Sequence, residues 1–182
     1  MDQPEIRPTR DDDLPRLLEI NQANVPEVGS IDLDRMAFLV EESAIALTVV
    51  DGDGDGDDGD GDDGGGDGDG EIVGFCLVLP PGSTYDSVNY RWFMERHDDV
   101  LYLDRVAFDE RFQGRGLGSA LYAEVERVMA DEHPRMTALT LEVNVEPPNE
   151  PSLRFHVKHG FEEVGRQQSK GIEVGLMLKP LP

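Results

Sequence analysis

The sequence predicts an α/β sandwich with a mixed, mostly antiparallel sheet, and three observations point there. Apolar runs of strand length alternate with segments of helical periodicity along the chain. Two of these runs flank a polar insertion as the arms of a hairpin would. A third passes through a glycine-rich turn into the longest amphipathic helix, and that order of elements is the signature of helices packed on both faces of a sheet.

The elements follow in order. Residues 6–8 read as a short strand, after which Asp11, Asp12 and Asp13 offer an N-cap and dipole-matching carboxylates to a helix that turns Leu14, Leu17, Leu18 and Ile20 inward. Residues 21–30 read as a loop. A second helix over residues 32–43 buries Leu33, Met36, Ala37 and Val40. Residues 45–50 and 72–79 are two strands separated by residues 51–70, which contain only aspartate and glycine. With like charges throughout and no apolar side chain to bury, this insertion is expected to be disordered, and deletion of residues 52–69 to leave fold and activity intact. Asp51, Asp53, Asp55 and Gly56 imitate the start of a calcium loop, but position twelve is Asp62 and no helices flank the tract, so no metal is expected.

Residues 80–100 are read as a long loop rich in aromatic side chains (Tyr85, Tyr90, Trp92, Phe93), either a pocket wall or a satellite hydrophobic cluster. Residues 101–108 form a strand, 116–131 a helix with Leu121, Val125 and Val128 inward, and 139–145 another strand. A helix over residues 151–159 and strands at 161–166 and 173–178, joined by a polar turn around Gly171, complete the chain.

Length and composition bound the function. With 182 residues and 38% apolar content, one core and one domain over residues 1–182 are expected. No apolar run approaches the roughly 18 residues that span a bilayer, and the first ten residues are polar, so a cytoplasmic protein without membrane contact is the expectation. Cys76, the single cysteine, lies in an apolar run and reads as a buried thiol. The net charge of -23 and the scarcity of lysine, three against thirteen arginines, resemble proteins of a high-salt cytoplasm. Such a surface repels a phosphate backbone, which excludes nucleic acid as a partner.

Within that acidic chain, Arg105, Arg111, Arg115 and Arg127 gather around the turn Gln113-Gly114-Arg115-Gly116-Leu117-Gly118-Ser119. A strand that enters a helix through such a turn aims several backbone N–H groups at one point, where a pyrophosphate would be held. The spacing fits neither a P-loop, which needs Gly-Lys-Ser/Thr, nor a dinucleotide fold, since residues 109–112 intervene after the strand.

The turn, read as Gln113, Gly116 and Gly118 in Q/R-x-x-G-x-G/A, resembles the acetyl-CoA loop of the GNAT N-acetyltransferase superfamily. Asn149, Ser152, Phe155, His156, Lys158, Gly160 and Phe161 are similar to the family's second signature, N-x-x-S/A-x-x-L/F-Y-x-K-x-G-F. The resemblance implies a GNAT-type sheet with splayed central strands and acetyl-CoA as co-substrate. It implies cofactor contacts at Val106, Ala107 and Phe108 on the strand, at Arg111, Gln113, Gly114, Arg115, Gly116, Leu117, Gly118 and Ser119 on the loop, and at Asn149, Ser152 and Phe155 downstream. The acceptor would be a small-molecule or peptide amine, acylated directly in a ternary complex, and relatives often pair as dimers.

Acetyl transfer to an amine needs a base, a polarised carbonyl and a proton for the leaving thiolate. His156 stands where relatives carry a tyrosine and is the candidate acid, with structural or acceptor-binding roles as the alternatives. Glu142 resembles the catalytic glutamate of the protein N-terminal acetyltransferases, and strand alternation turns it away from Leu141 and Val143. Asp104, between residues that look buried, is either paired with Arg105 or aimed at the amine. The departure at His156 also leaves open a non-catalytic CoA-sensing or partner-binding module.

Overall fold

The structure, a computed structural model, describes residues 4–52 and 70–182. Most of the Asp/Gly insertion, and the expectation about its order, therefore lies outside the described residues. Among those described, seven strands form one sheet in the order β1-β2-β3-β4-β5-β7-β6. They are β1 (Glu5–Pro8), β2 (Ile45–Asp51), β3 (Glu71–Leu79), β4 (Val100–Phe108), β5 (Ala138–Glu146), β6 (Glu162–Ser169) and β7 (Ile172–Pro180). Every neighbouring pair is antiparallel except β4–β5. This is the mixed, mostly antiparallel sheet the sequence predicts.

Two cores sandwich it. On one face, Leu17 and Ile20 of α1 (Leu14–Ala23), Met36 and Leu39 of α2 (Leu33–Glu42), and Tyr90 and Phe93 of α3 (Val88–Met94) pack on Phe75, Leu77 and Tyr102. On the other, Leu121, Tyr122, Val125 and Val128 of α4 (Leu117–Glu132) cover Val78, Leu101, Leu139 and Leu141, with Phe155 of α5 (Glu150–Lys158) at the margin. No helix among the described residues is long and apolar enough to cross a membrane. Cys76 is fully buried, and burial pushes its thiol up to about 12, so it is chemically inert in the folded state.

Two local expectations are corrected. The stretch read as an aromatic loop contains the helix α3, started by Ser87, whose hydroxyl accepts from the amides of Asn89 and Tyr90. The aromatics of the stretch divide the two roles: Tyr90 and Phe93 enter the core, while Tyr85, together with the polar Asn89, lines the cavity described below. The acidic run before α1 forms a 3-10 turn instead of a simple cap. Asp13 is buried there, bidentate to Arg7 at 2.7 and 2.9 Å, and also accepts from Thr48 Oγ1 at 3.1 Å.

Burial opposes the charge on Asp13, but Arg7, the Arg10 amide and Thr48 together hold its pKa below the usual 3.8. That contribution to stability is complete above the ordinary carboxylate pKa and is lost as the pH falls through the depressed one. Asp13→Ala removes the carboxylate from beside a buried guanidinium and is expected to cost about 3 kcal/mol, read as a lowered denaturant midpoint at neutral pH.

Candidate active site

The site begins where the sheet comes apart. Parallel pairing between β4 and β5 covers only Val100↔Ala138, Leu101↔Leu139 and Tyr102↔Thr140; both strands then continue without each other. The edge of β4 that faces β5 beyond Tyr102 is left without a strand partner, and a cavity of about 530 Å³ passes through the gap. Ser152 and His156 of α5 line it from one face of the sheet, and Arg35, Tyr85 and Asn89 from the other.

A β-bulge sets the chemistry of that gap. Val78 pairs with Leu103 and Leu77 with Arg105, so Asp104 is an extra residue without a partner on β3. Before it Leu101 and Leu103 face α4; after it Val106 and Phe108 do, while Ala107 faces α1. The bulge breaks alternation, which lets the consecutive residues Asp104 and Arg105 both line the cavity. Their side chains are only 4% and 8% exposed, with Arg105 Nε 3.3 Å from Asp104 Oδ2. Neither atom has a hydrogen-bond partner, and burial raises the Asp104 pKa.

Glu142 faces Asp104's side of the gap from β5, opposite to the core-facing Leu141 and Val143 as alternation requires. Asn89 Nδ2 donates to it at 3.0 Å and the Tyr102 hydroxyl donates to its other oxygen. Burial, and then the negative charge of Asp104, push its pKa up to about 7. A carboxyl poised there takes and releases a proton near neutrality.

His156 is buried in the opposite wall. Its Nδ1 lies 2.8 Å from the Ser152 carbonyl oxygen, which can only accept, so Nδ1 carries the hydrogen and Nε2 accepts from the Tyr122 hydroxyl at 2.7 Å. Burial lowers its pKa to about 4, which makes it a neutral imidazole at physiological pH. Ser152 Oγ lies 3.2 Å from the same Nδ1–H, so its own hydroxyl proton is free for the cavity.

The glycine-rich turn is built as a ring of donors. Gly114 and Gly116 have φ of +77° and +84°, in the left-handed region, and Gly116 is the N-cap of α4. The first helical bond is Ala120 N–H to the Gly116 carbonyl, and no described group accepts from the amides of residues 114–119. Gly118 is needed for another reason: a Cβ there would sit 3.3 Å from the Phe155 ring. Of the arginines, Arg111 is engaged by Asp109 and Glu71, and Arg115 lies 3.5 Å from Asp51 and over the Phe112 ring. Gln113 is exposed beside them. Asn149 caps α5 by accepting from the Ser152 amide at 3.2 Å, and Ser119 Oγ meets His159 Nε2 at 3.1 Å.

The structure thus brings Glu142, Asp104, His156, Val106, Asn149 and Ser152 to one cavity. Ala107, Phe108, Phe155 and the loop residues 111–119 are not part of its lining; Phe155 instead packs against Gly118 at the start of α4. Tyr102, Asn89, Tyr85 and Tyr122 also belong to the site. Tyr102 was legible as the residue two before Asp104, but the partners of Asn89 and Tyr122 lie 53 and 34 residues away and leave no local signal.

Fold and site together define a splayed mixed sheet with an acidic cavity through its gap and a turn of unengaged backbone amides at the entry to α4. Residues 62–161 match the family model described as the acetyltransferase (GNAT) family. The chain belongs to that family. Similar solved structures cover nearly its whole length: Ard1 from Thermoplasma volcanium (TM-score 0.71, 18% identity, 98% of each chain), and NAA60 from Arabidopsis thaliana in complex with acetyl-CoA (0.71, 19%, 98% of this chain and 100% of that one). The ribosomal-protein-S18-alanine N-acetyltransferase from Escherichia coli is also similar (0.68, 17%, 98% and 94%). No curated protein sequence matches significantly.

Proposed function

We propose that the protein transfers the acetyl group of acetyl-CoA to a primary amine of a small molecule or peptide by direct attack in a ternary complex. The observation that carries this reading is Glu142, a carboxyl with a pKa of about 7 on the wall of the cavity that splits the sheet.

The residues present fit the cofactor. Its diphosphate would be held by the free amides of residues 114–119 and Gln113, with Arg111 and Arg115 supplying positive charge in place of their present carboxylate pairing. The pantetheine arm would be held by the unpaired edge of β4 at Val106, Ala107 and Phe108 and by Asn149, Ser152 and Phe155. A backbone N–H on that edge polarises the thioester carbonyl. Asp104 receives the acceptor's ammonium with its unpartnered oxygen, and Glu142 takes one proton from it, directly or through water. The neutral amine nitrogen then bonds to the carbonyl carbon, the C–S bond breaks with its electron pair leaving on sulfur, and the nitrogen's second proton passes through water to the thiolate.

His156, neutral and tied at both nitrogens, is better suited to positioning than to acting as an imidazolium acid. It fixes Ser152 so that the hydroxyl faces the departing sulfur, which takes its proton from water. The charge of -23 suggests that all this operates at high ionic strength.

The test is a CoA titration by calorimetry in molar salt, followed by acetyl-CoA with a panel of amines and a colorimetric reading of released thiol. Cys76 is buried and adds no background. CoA binding with thiol release that depends on the amine supports the enzyme. Tight CoA binding with no release for any amine supports a CoA-sensing module instead.

A further inference from the structure

We propose that the cavity contains a carboxylate-binding notch at Gly29 and that the acceptor is a free amino acid, carrying an anionic group a few bonds from its reacting amine. This rests on the N-acetyltransferase reading and names the substrate class of the same site.

The notch lies in the loop between α1 and α2. The point where a Cβ on Gly29 would sit is 3.8 Å from Arg105 Nη2 and 3.8 Å from Lys170 Nζ. Two cations therefore flank one spot, no farther apart than twice that distance, and the residue between them has no side chain to fill it. A carboxylate is of the right size and charge to bridge them.

Arg105 is a built ligand. It is 7% exposed, and its Nη1 donates to Asn21 Oδ1 and to the Gly29 carbonyl, both at 2.7 Å. Asn21, itself fully buried, also donates to that carbonyl at 3.2 Å, which fixes the loop to the guanidinium. Those bonds use one end of the fork. Nη2 has no described partner.

Lys170 arrives from the far end of the sheet. It sits at the tip of the β6–β7 hairpin with φ of +51°, followed by Gly171 at +85°, a two-residue turn closed by Ser169↔Ile172. No described hydrogen bond or ion pair engages its ammonium, whereas Arg35, the other cation on this wall, is paired with Asp86. Glu27, the acid at the same rim, has no described ion pair with either Lys170 or Arg105. The notch is therefore positive, with Arg105 held in place and Lys170 exposed at the hairpin tip.

Polarity along the cavity then reads amine, then carboxylate. Asp104 lies at the Nε side of Arg105 and, with Glu142 on the same cavity, suits an ammonium; the Nη2 side faces Gly29 and Lys170 and suits an anion. An acceptor that spans one guanidinium group with opposite charges at its ends is an amino acid, whereas an amidated compound would leave the two cations without a partner.

The experiment measures binding of matched pairs to the CoA-loaded protein by calorimetry, so that turnover is not needed. The probes are glycine, β-alanine and L-methionine, each against its primary amide. At least one acid is expected to bind ten times more tightly than its amide. Lys170→Met and Gly29→Leu should bring that acid-to-amide ratio close to one, and Lys170→Arg should retain most of it. Equal or tighter binding of all three amides would overturn the notch while leaving acetyl transfer to other amines untouched. Selective binding of an acid without thiol release would uphold the notch and count against the enzyme.

Discussion

Glu142→Gln is expected to lower kcat/KM by about a hundredfold or more while CoA binds as before. The carboxylate accepts the amine's proton only when it is ionised, and its pKa is about 7. The wild-type rate should therefore rise through that pH and level off above it, falling about tenfold per unit on the acid side. The amide of glutamine keeps the shape and the contact with Asn89 but cannot take a proton, so the acid limb should vanish with the activity. Asp104→Asn provides an independent check. Burial is the larger cause of the raised pKa, and the Asp104 charge the next. Removing that charge should move the limb to lower pH as well as weaken acceptor binding. A pH–rate profile in Glu142→Gln that keeps its limb would place the base elsewhere.

Gly116→Val should abolish or severely weaken CoA binding, by at least tenfold in Kd measured calorimetrically. At φ of +84° a β-branched residue carries a strain of about 1–2 kcal/mol. No described neighbour lies within 4 Å of a Cβ there, so the effect is one of backbone conformation and not of crowding. Relaxing φ swings the amides of residues 114–119 away from their common focus. Because the residue is outside the core, thermal unfolding should shift only by several degrees, which separates loss of the cradle from loss of the fold. CoA affinity equal to wild type would mean that the diphosphate binds elsewhere.

Much of this site was legible because its chemistry is carried by local spacing. Gln113, Gly116 and Gly118 lie within six residues, and Asn149 through Phe161 within thirteen, so strand, turn and helix are all specified by near neighbours. What escaped depends on distant partners. The α3 helix has only seven residues, too few for its periodicity to stand out against the aromatics. The bulge leaves no trace in apolar alternation other than the charged pair Asp104-Arg105 within an apolar strand. His156 could be aligned with a tyrosine, but its protonation is decided by Tyr122 on another helix and by burial that no local pattern encodes. Arg111 and Arg115 were visible as cations, though not their existing bonds to the two stems of the insertion, Glu71 and Asp51.

The extra residue in β4 has an implication for how such a chain can change. Replacing Asp104 alters one side chain, whereas deleting it shortens the strand by one and restores its strict two-residue rhythm. The rest of the strand would keep its faces, because Leu103 and Val106 already share one: Val106 and Phe108 would stay under α4 and Arg105 would stay with Ala107 on the α1 side, while the carboxyl and the local kink at the gap would be lost. The acid is thus carried on an insertion that the ladder itself does not require, so evolution can exchange or remove it while the neighbouring side chains hold their sides of the sheet.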